Sequence, residues 1–177
     1  GPHNNKIAGI ATQLRSVMTP DFKEYIKNVK KNAKSLAYTL MNHGYKLSTD
    51  GTDNHLILCN LNPLGLTGSK VETICDIVGI TLNKNSVYGD TSALSPGGIR
   101  IGTPALTSRG FDDKDFIQVG ELIHRCIQLA LKVVAFTKTK KLVDFKNELK
   151  SNSDIKKELD MISTDVKKLS SKYPLYD

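Results

Sequence analysis

Gly98-Ile99-Arg100-Ile101-Gly102-Thr103 is the stretch on which the reading of this chain turns. Its alternation puts Ile99 and Ile101 on one face of a β-strand and Arg100 on the other. Gly97 and Gly98 directly precede it and let the backbone approach a neighbour closely. A planar, permanently charged guanidinium presented from a rigid strand suits a carboxylate or phosphate held by two hydrogen bonds. A structural salt bridge would produce the same pattern, so both readings stand at this point. Arg109, before Gly110, reads as the end of the strand region. It is a weaker candidate for the anion role, and an interdomain ion pair fits it better.

Upstream of the strand, residues 83–98 read NKNSVYGDTSALSPGG and carry neither a helical nor a strand period. Long irregular segments in compact domains concentrate function. Asn83, Asn85, Ser86, Asp90, Thr91 and Ser92 offer donors and acceptors suited to a heterocycle with amide-like edges. An ordinary turn-rich loop has the same composition, and composition alone does not separate the two. Segment 81–110 is therefore the expected functional site, built for small polar ligands.

Further back the elements alternate. Ile7, Ile10, Ala11, Leu14, Val17 and Met18 form one helical stripe over residues 5–18. Thr19-Pro20-Asp21 then combines a hydroxyl cap, a first-turn proline and an acid at the positive end of a second, long helix. That helix carries Phe22, Ile26, Val29, Ala33, Leu36, Ala37 and Leu40, and Gly44 terminates it. A long helix with a Lys- and Asn-rich remaining surface suits a bridge between two packed bodies. Strands are expected at residues 45–48, 55–61 and 80–82. A helix capped by Thr67 carries Val71, Ile74, Cys75 and Val78 and ends at Gly79. Downstream, Asp112 and Asp113 cap a helix with Phe116, Val119, Leu122, Ile123, Cys126, Leu129, Ala130 and Val133. A last helix carries Ile155, Leu159, Ile162, Val166 and Leu169 and is expected to pack on the domain. The order predicts an α+β fold: a small, mostly antiparallel sheet with helices on one face, preceded by the long helix.

The 177 residues suffice for one domain with its own core. No apolar run approaches the roughly 20 residues of a membrane span, and no membrane association is expected. The start, Gly1-Pro2-His3, has no signal-peptide character and no Met, so residue 1 is read as not the natural start. Cys59, Cys75 and Cys126 are odd in number and widely spaced, which argues against a disulfide framework or zinc site and for buried thiols in a reducing compartment. The net charge of +7 raises nucleic acid as a partner. However, Lys138, Lys140, Lys141, Lys146, Lys150, Lys156, Lys157, Lys167, Lys168 and Lys172 are interleaved with Asp144, Glu148, Asp154, Glu158 and Asp160. That mixture reads as a solvated face, and no aromatic residues provide a stacking platform. His55 and His124 read as structural histidines, His3 and His43 lie near element ends, and no histidine pair has metal spacing. No P-loop, dinucleotide fingerprint or nucleophile elbow occurs. On chemistry alone the chain is a ligand-binding domain without a visible nucleophile or base.

Four motifs in this order resemble serine hydroxymethyltransferases: Gly1-Pro2-His3-Asn4, residues 49–56 (TDGTDNHL), Leu82-Asn83-Lys84-Asn85, and residues 98–110 (GIRIGTPALTSRG). The resemblance covers roughly the whole chain, weakens after about residue 135, and corresponds to the C-terminal part of the family. It implies a pyridoxal-phosphate enzyme of fold type I that moves a one-carbon unit between serine and tetrahydrofolate, leaving glycine and methylenetetrahydrofolate. Residues 1–44 would be the end of the large domain and the interdomain helix, and residues 45–177 the small domain. Arg100 matches the family arginine that grips the amino-acid carboxylate. Asn85 matches a residue at the folate pterin, and Ser92, Ala93 and Leu94 fall in the folate loop. Gly1 matches a glycine near the cofactor phosphate of the neighbouring subunit. Ser108 stands where some relatives have arginine and receives no role. The family's His-Lys Schiff-base motif does not occur, nor do its aspartate at the pyridine nitrogen, its ring-stacking histidine and its glutamate near the hydroxymethyl group. No catalytic residue is therefore expected here, and the chain alone is expected to be inactive and without bound cofactor. The resemblance further implies a homodimer and a cytoplasmic location, with an organellar form left open. An isolated carboxylate- or folate-binding module and a basic RNA-binding domain are the alternative readings.

Overall fold

A computed structural model describes residues 1–137 and 141–175; Lys138 and Lys140 of the basic C-terminal third lie outside the described residues. The elements run α1 (Asn4–Val17), α2 (Pro20–Asn42), β1 (Lys46–Leu47), β2 (Leu56–Asn60), α3 (Gly68–Val78), β3 (Asn83–Asn85), β4 (Gly98–Gly102), α4 (Pro104–Ser108), α5 (Asp113–Thr137), α6 (Leu142–Ser151) and α7 (Ser153–Ser170). Among the described residues the result is α+β: one four-stranded antiparallel sheet in the order β1-β2-β4-β3, and seven α-helices.

Helix ends follow local chemistry. The Thr19 hydroxyl accepts from the Phe22 amide at 3.3 Å and Pro20 sits in the first turn of α2. Asp112 accepts from the Lys114 and Asp115 amides at 2.9 and 3.0 Å at the head of α5. Asn152 does the same for α7 through Asp154 and Ile155. Gly79 closes α3 at φ +89°, a left-handed conformation that favours glycine. Thr67 occupies the cap position of α3 but its side chain makes no cap bond.

The sheet has two different faces. Leu47, Ile57, Cys59, Ile99 and Ile101 are buried, whereas Arg100, Asn83 and Lys46 are exposed. The buried face joins one core with Leu36 and Leu40 of α2, Ile74 of α3, Phe116, Ile123 and Ile127 of α5, Phe145 of α6, and Ile155 and Ile162 of α7. Gly120 lets α5 lie directly on α2, because a Cβ there would meet Thr39 Cγ2 at 2.7 Å. Buried Asn32 in α2 donates to Thr107 Oγ1 at 2.9 Å and to the Phe111 carbonyl at 3.0 Å, and the Thr103 hydroxyl donates to the Val29 carbonyl at 2.9 Å. These bonds tie segment 103–111 to α2.

Several expectations change. The third strand is not at Ile80-Thr81-Leu82 but at Asn83–Asn85, where pairing with β4 supplies the backbone partners. The segment read as wholly irregular thus begins as a strand. Arg109 does not end a strand but caps α4, which Pro104 initiates. It forms no ion pair among the described residues; its guanidinium donates to the Ser170 and Tyr173 carbonyls. Helix α6 was not anticipated. The stripe of α1 covers nothing: Ile7, Ile10, Leu14, Val17 and Met18 are all exposed. No described helix is long and apolar enough to cross a membrane.

Candidate functional site

Strand β4 lies between β2 and β3, so Arg100 is held from both sides: it pairs in register with Leu58 and with Asn83. The neighbours Ile99 and Ile101 are 0% and 5% exposed, which fixes which way the strand faces and leaves the guanidinium on the open side. The Asn83 carboxamide oxygen accepts from an Arg100 terminal nitrogen at 3.2 Å. No carboxylate pairs with Arg100 among the described residues. The salt-bridge reading thus finds no partner among the described residues, and the guanidinium faces solvent. It lines a groove of about 430 Å³ with His55, Leu56, Thr81, Leu82, Asn83 and Gly102.

Asn85 shares the face of Asn83 by strand alternation, and its amide nitrogen donates to the Ser86 carbonyl at 2.8 Å. Among the described residues its amide oxygen has no partner. Ser92, Ala93 and Leu94 are exposed, Leu94 at 93%, with the Ser92 hydroxyl accepting from the Leu94 amide at 3.2 Å. Asp90, read as a ligand-facing polar group, is instead engaged by its own loop. It accepts from the Val87 and Gly97 amides at 2.9 and 2.7 Å and from Asn62 Nδ2 at 2.8 Å. The Gly97 amide first, then Asn62 and Val87, hold its carboxyl below the usual carboxylate range. Nothing in the sequence marks the partnership of Asn62 with Asp90.

Gly1 is exposed and does not line the groove. His3 is exposed with no side-chain cap bond. The His55 carbonyl accepts from the Thr103 amide at 3.0 Å, while its ring is exposed at the groove. His124 belongs to a separate cluster: its Nδ1 lies 2.8 Å from Tyr45 Oη, and its ring stacks on His43 at 3.8 Å. Burial, then His43, pushes the His124 pKa down. All three cysteines are free and buried; Cys75 and Cys126, far apart in the chain, meet side chain to side chain, and burial alone pushes Cys59 up to about 12. Among the described residues no group of histidine, cysteine and carboxylate side chains would hold a metal ion.

The groove offers a guanidinium fork and one carboxamide, that of Asn83, and its lining contains no lysine. It can grip a carboxylate and match an amide-edged ring. Fold and site thus define an α+β domain that presents a guanidinium on the open face of a small antiparallel sheet.

The family model described as serine hydroxymethyltransferase matches residues 1–123. Serine hydroxymethyltransferase 5 of Arabidopsis thaliana is 54% identical over 170 residues, covering 96% of this chain and 35% of that protein. Serine hydroxymethyltransferase of Caenorhabditis elegans is 48% identical, covering 99% of this chain and 34% of that protein. The cytosolic serine hydroxymethyltransferase of Saccharomyces cerevisiae is 42% identical, covering 99% and 37%. The chain belongs to the serine hydroxymethyltransferase family, and it spans about 35% of the length of the first of these curated relatives.

Proposed function

We propose that this chain supplies the substrate-carboxylate and folate contacts of a pyridoxal-phosphate-dependent serine hydroxymethyltransferase, which exchanges a one-carbon unit between serine and tetrahydrofolate. Residues 1–44 belong in this reading to the end of the large domain and the interdomain helix, and residues 45–177 to the small domain of a fold-type I enzyme. The observation that carries it is Arg100: a guanidinium on the central strand β4, held by Asn83 and with no carboxylate partner among the described residues.

The physical role of each residue follows. Arg100 binds the carboxylate of serine or glycine through two parallel charged hydrogen bonds, fixing the amino acid's orientation. Asn83 holds the plane of that fork. Asn85 offers a carboxamide to the amide-like edge of the pterin, and Ser92, Ala93 and Leu94 line the folate. Leu94 covers apolar ring surface and keeps water from it. Pyridoxal phosphate, when bound, supplies the electron sink; in this reading the lysine that carries it belongs to the part of the family's length that this chain does not span. Gly1 is assigned to the cofactor phosphate of the neighbouring subunit of a homodimer, and the location to the cytoplasm. The 177 residues alone are assigned no activity.

The test is Arg100→Lys in the full-length protein. Lysine keeps the charge but loses the second aligned bond. A hydrogen bond to a charged group contributes about 1.5–3 kcal/mol, so the KM for serine should rise about tenfold to a hundredfold, with the KM for tetrahydrofolate little changed. Unchanged serine affinity removes Arg100 from the site.

A further inference from the structure

We infer that Asp90 is a positioning residue: its carboxylate closes the neck of segment 86–97 and thereby sets the folate-facing residues 92–94 in place, an inference that rests on the folate assignment above. Three bonds converge on this one side chain. Oδ2 accepts from the Val87 amide at 2.9 Å, on the incoming limb, and from the Gly97 amide at 2.7 Å, on the outgoing limb. Oδ1 accepts from Asn62 Nδ2 at 2.8 Å, which anchors the neck to the connection after β2.

The surroundings are shaped around this arrangement. A Cβ on Gly97 would lie 2.1 Å from Asn62 Oδ1 and 2.4 Å from Nδ2, so the Asn62 amide rests directly on the Gly97 backbone and any side chain there would push that amide off Asp90. The outgoing limb is tied further by the Leu61 amide to the Gly97 carbonyl and the Gly68 amide to the Pro96 carbonyl, both 2.8 Å. The incoming limb is seated by Val87, which is 6% exposed. Between the limbs the described bonds of the lobe are local: Asp90 amide to the Val87 carbonyl at 3.1 Å, Leu94 amide to Ser92 Oγ at 3.2 Å and Ser95 amide to the Ser92 carbonyl at 3.3 Å. Leu94 and Tyr88 are 93% and 101% exposed, so none of the described residues packs on their side chains. Without the carboxylate the two limbs lose their shared acceptor, and the lobe must be ordered by the ligand at the ligand's expense.

An ionised carboxylate is well suited to this task, since each oxygen accepts from more than one donor. The two amides and Asn62 also stabilise the ionised form. In Asp90→Asn, one amide oxygen still takes the Val87 and Gly97 amides, and the new NH2 meets Asn62 once that amide rotates. Asp90→Ala removes all three bonds.

The experiment uses the full-length protein with Asp90→Ala, Asp90→Asn and Asn85→Ala. It reads the KM for tetrahydrofolate, the KM for serine, folate-independent turnover of the amino acid, and hydrogen exchange of peptides covering residues 86–97. For Asp90→Ala the expected result is faster exchange and a tetrahydrofolate KM raised about tenfold, with serine KM and folate-independent turnover unchanged. Asp90→Asn should fall between it and the unaltered protein. If Asp90→Ala is insoluble, Asp90→Asn decides, and a tetrahydrofolate KM equal to that of the unaltered protein overturns the inference. Unaltered exchange in Asp90→Ala also overturns it. Faster exchange without a change in folate KM, while Asn85→Ala raises that KM, overturns the positioning role and leaves the folate site intact. A folate KM indifferent to all three substitutions brings down the folate assignment itself.

Discussion

Gly120→Ala sets two known effects against each other with opposite sign. Alanine in a helix interior is about 0.8–1.0 kcal/mol better than glycine, so on an exposed surface of α5 the change would stabilise. Here the new Cβ would lie 2.7 Å from Thr39 Cγ2, 2.9 Å from Thr39 Cβ and 3.5 Å from Leu36 Cδ1. Favourable carbon–carbon contact begins near 3.5 Å, so the first two contacts fall well short of it. Thr39 cannot swing away cheaply, because its Cβ is fixed to the helix backbone and its hydroxyl donates to the Ser35 carbonyl at 2.9 Å. The helices α2 and α5 must therefore part, loosening Leu36, Leu40, Ile123 and Ile127, each fully buried. Overpacking of this kind costs about 1–3 kcal/mol, and loosened neighbours add to it. The net expectation is destabilisation by roughly 1–2 kcal/mol. In a urea titration of the 177-residue chain the midpoint should fall with the slope unchanged, and the melting temperature should drop about 2–8 °C. Thr39→Ser removes Cγ2, keeps the hydroxyl, and should recover part of the loss in the double variant. A midpoint equal to or above that of the unaltered chain would refute the packing argument.

Asn32→Ala strips the Phe111 carbonyl and the Thr107 hydroxyl of a buried donor and should destabilise by about 2–4 kcal/mol; a loss below 1 kcal/mol on the same titration would mean water replaces the amide. His124 supplies a pH dependence. Gln128 Nε2 lies 3.1 Å from Tyr45 Oη, so the Tyr45 proton is directed at His124 Nδ1 and the neutral ring is favoured; His43 stacks on it and carries Glu121 at 2.8 Å. Because the folded-state pKa lies below the ordinary 6.5, the unfolded chain takes the proton first. This contribution to stability is complete above about pH 6.5 and is lost as pH falls through the folded value. His124→Gln should flatten the acid limb of a melting-temperature profile, and an unchanged limb would show that another group causes it. Asn85→Ala in the full-length protein should impair the folate-dependent reaction more than folate-independent chemistry, whereas equal loss in both would assign Asn85 a structural role.

Helices α2, α3 and α5 and strands β2 and β4 were legible because their apolar spacing agreed with their terminators, as at Thr19-Pro20 and Gly79. β3 was misplaced for a physical reason. Ile80 and Leu82 look like strand residues, yet Leu82 enters the core at 5% exposure without belonging to a strand. The polar Asn83-Lys84-Asn85 become one because β4 accepts them as an edge and Glu72 takes the Lys84 amide at 2.9 Å. Such tertiary decisions override strand propensity. The spacing of Leu142, Phe145 and Leu149 does carry a helical signal for α6, hidden among lysines. At the candidate site, Arg100 stood out because a charge interrupted an apolar alternation. Its hydrogen-bond partner, Asn83, lies seventeen residues upstream and could not be read from the pattern around Arg100. Asp90 could not be assigned from its side-chain type, since a carboxylate that caps its own loop has the same composition as one that meets a ligand.

The strand order β1-β2-β4-β3 also bears on how the chain folds. β2 and β4 pair across roughly forty residues of sequence, and β4 must enter between two strands that precede it. Until it does, β2 lacks its long partner and the groove has no floor. Loop closure on this scale is slow relative to hairpin formation, so the arginine-bearing strand should be among the last parts of the sheet to arrive. A chain stalled before residue 98 would carry an open strand edge that invites pairing with another copy. The strand that places the guanidinium is thus also the one that ends the period in which the nascent sheet is exposed to association.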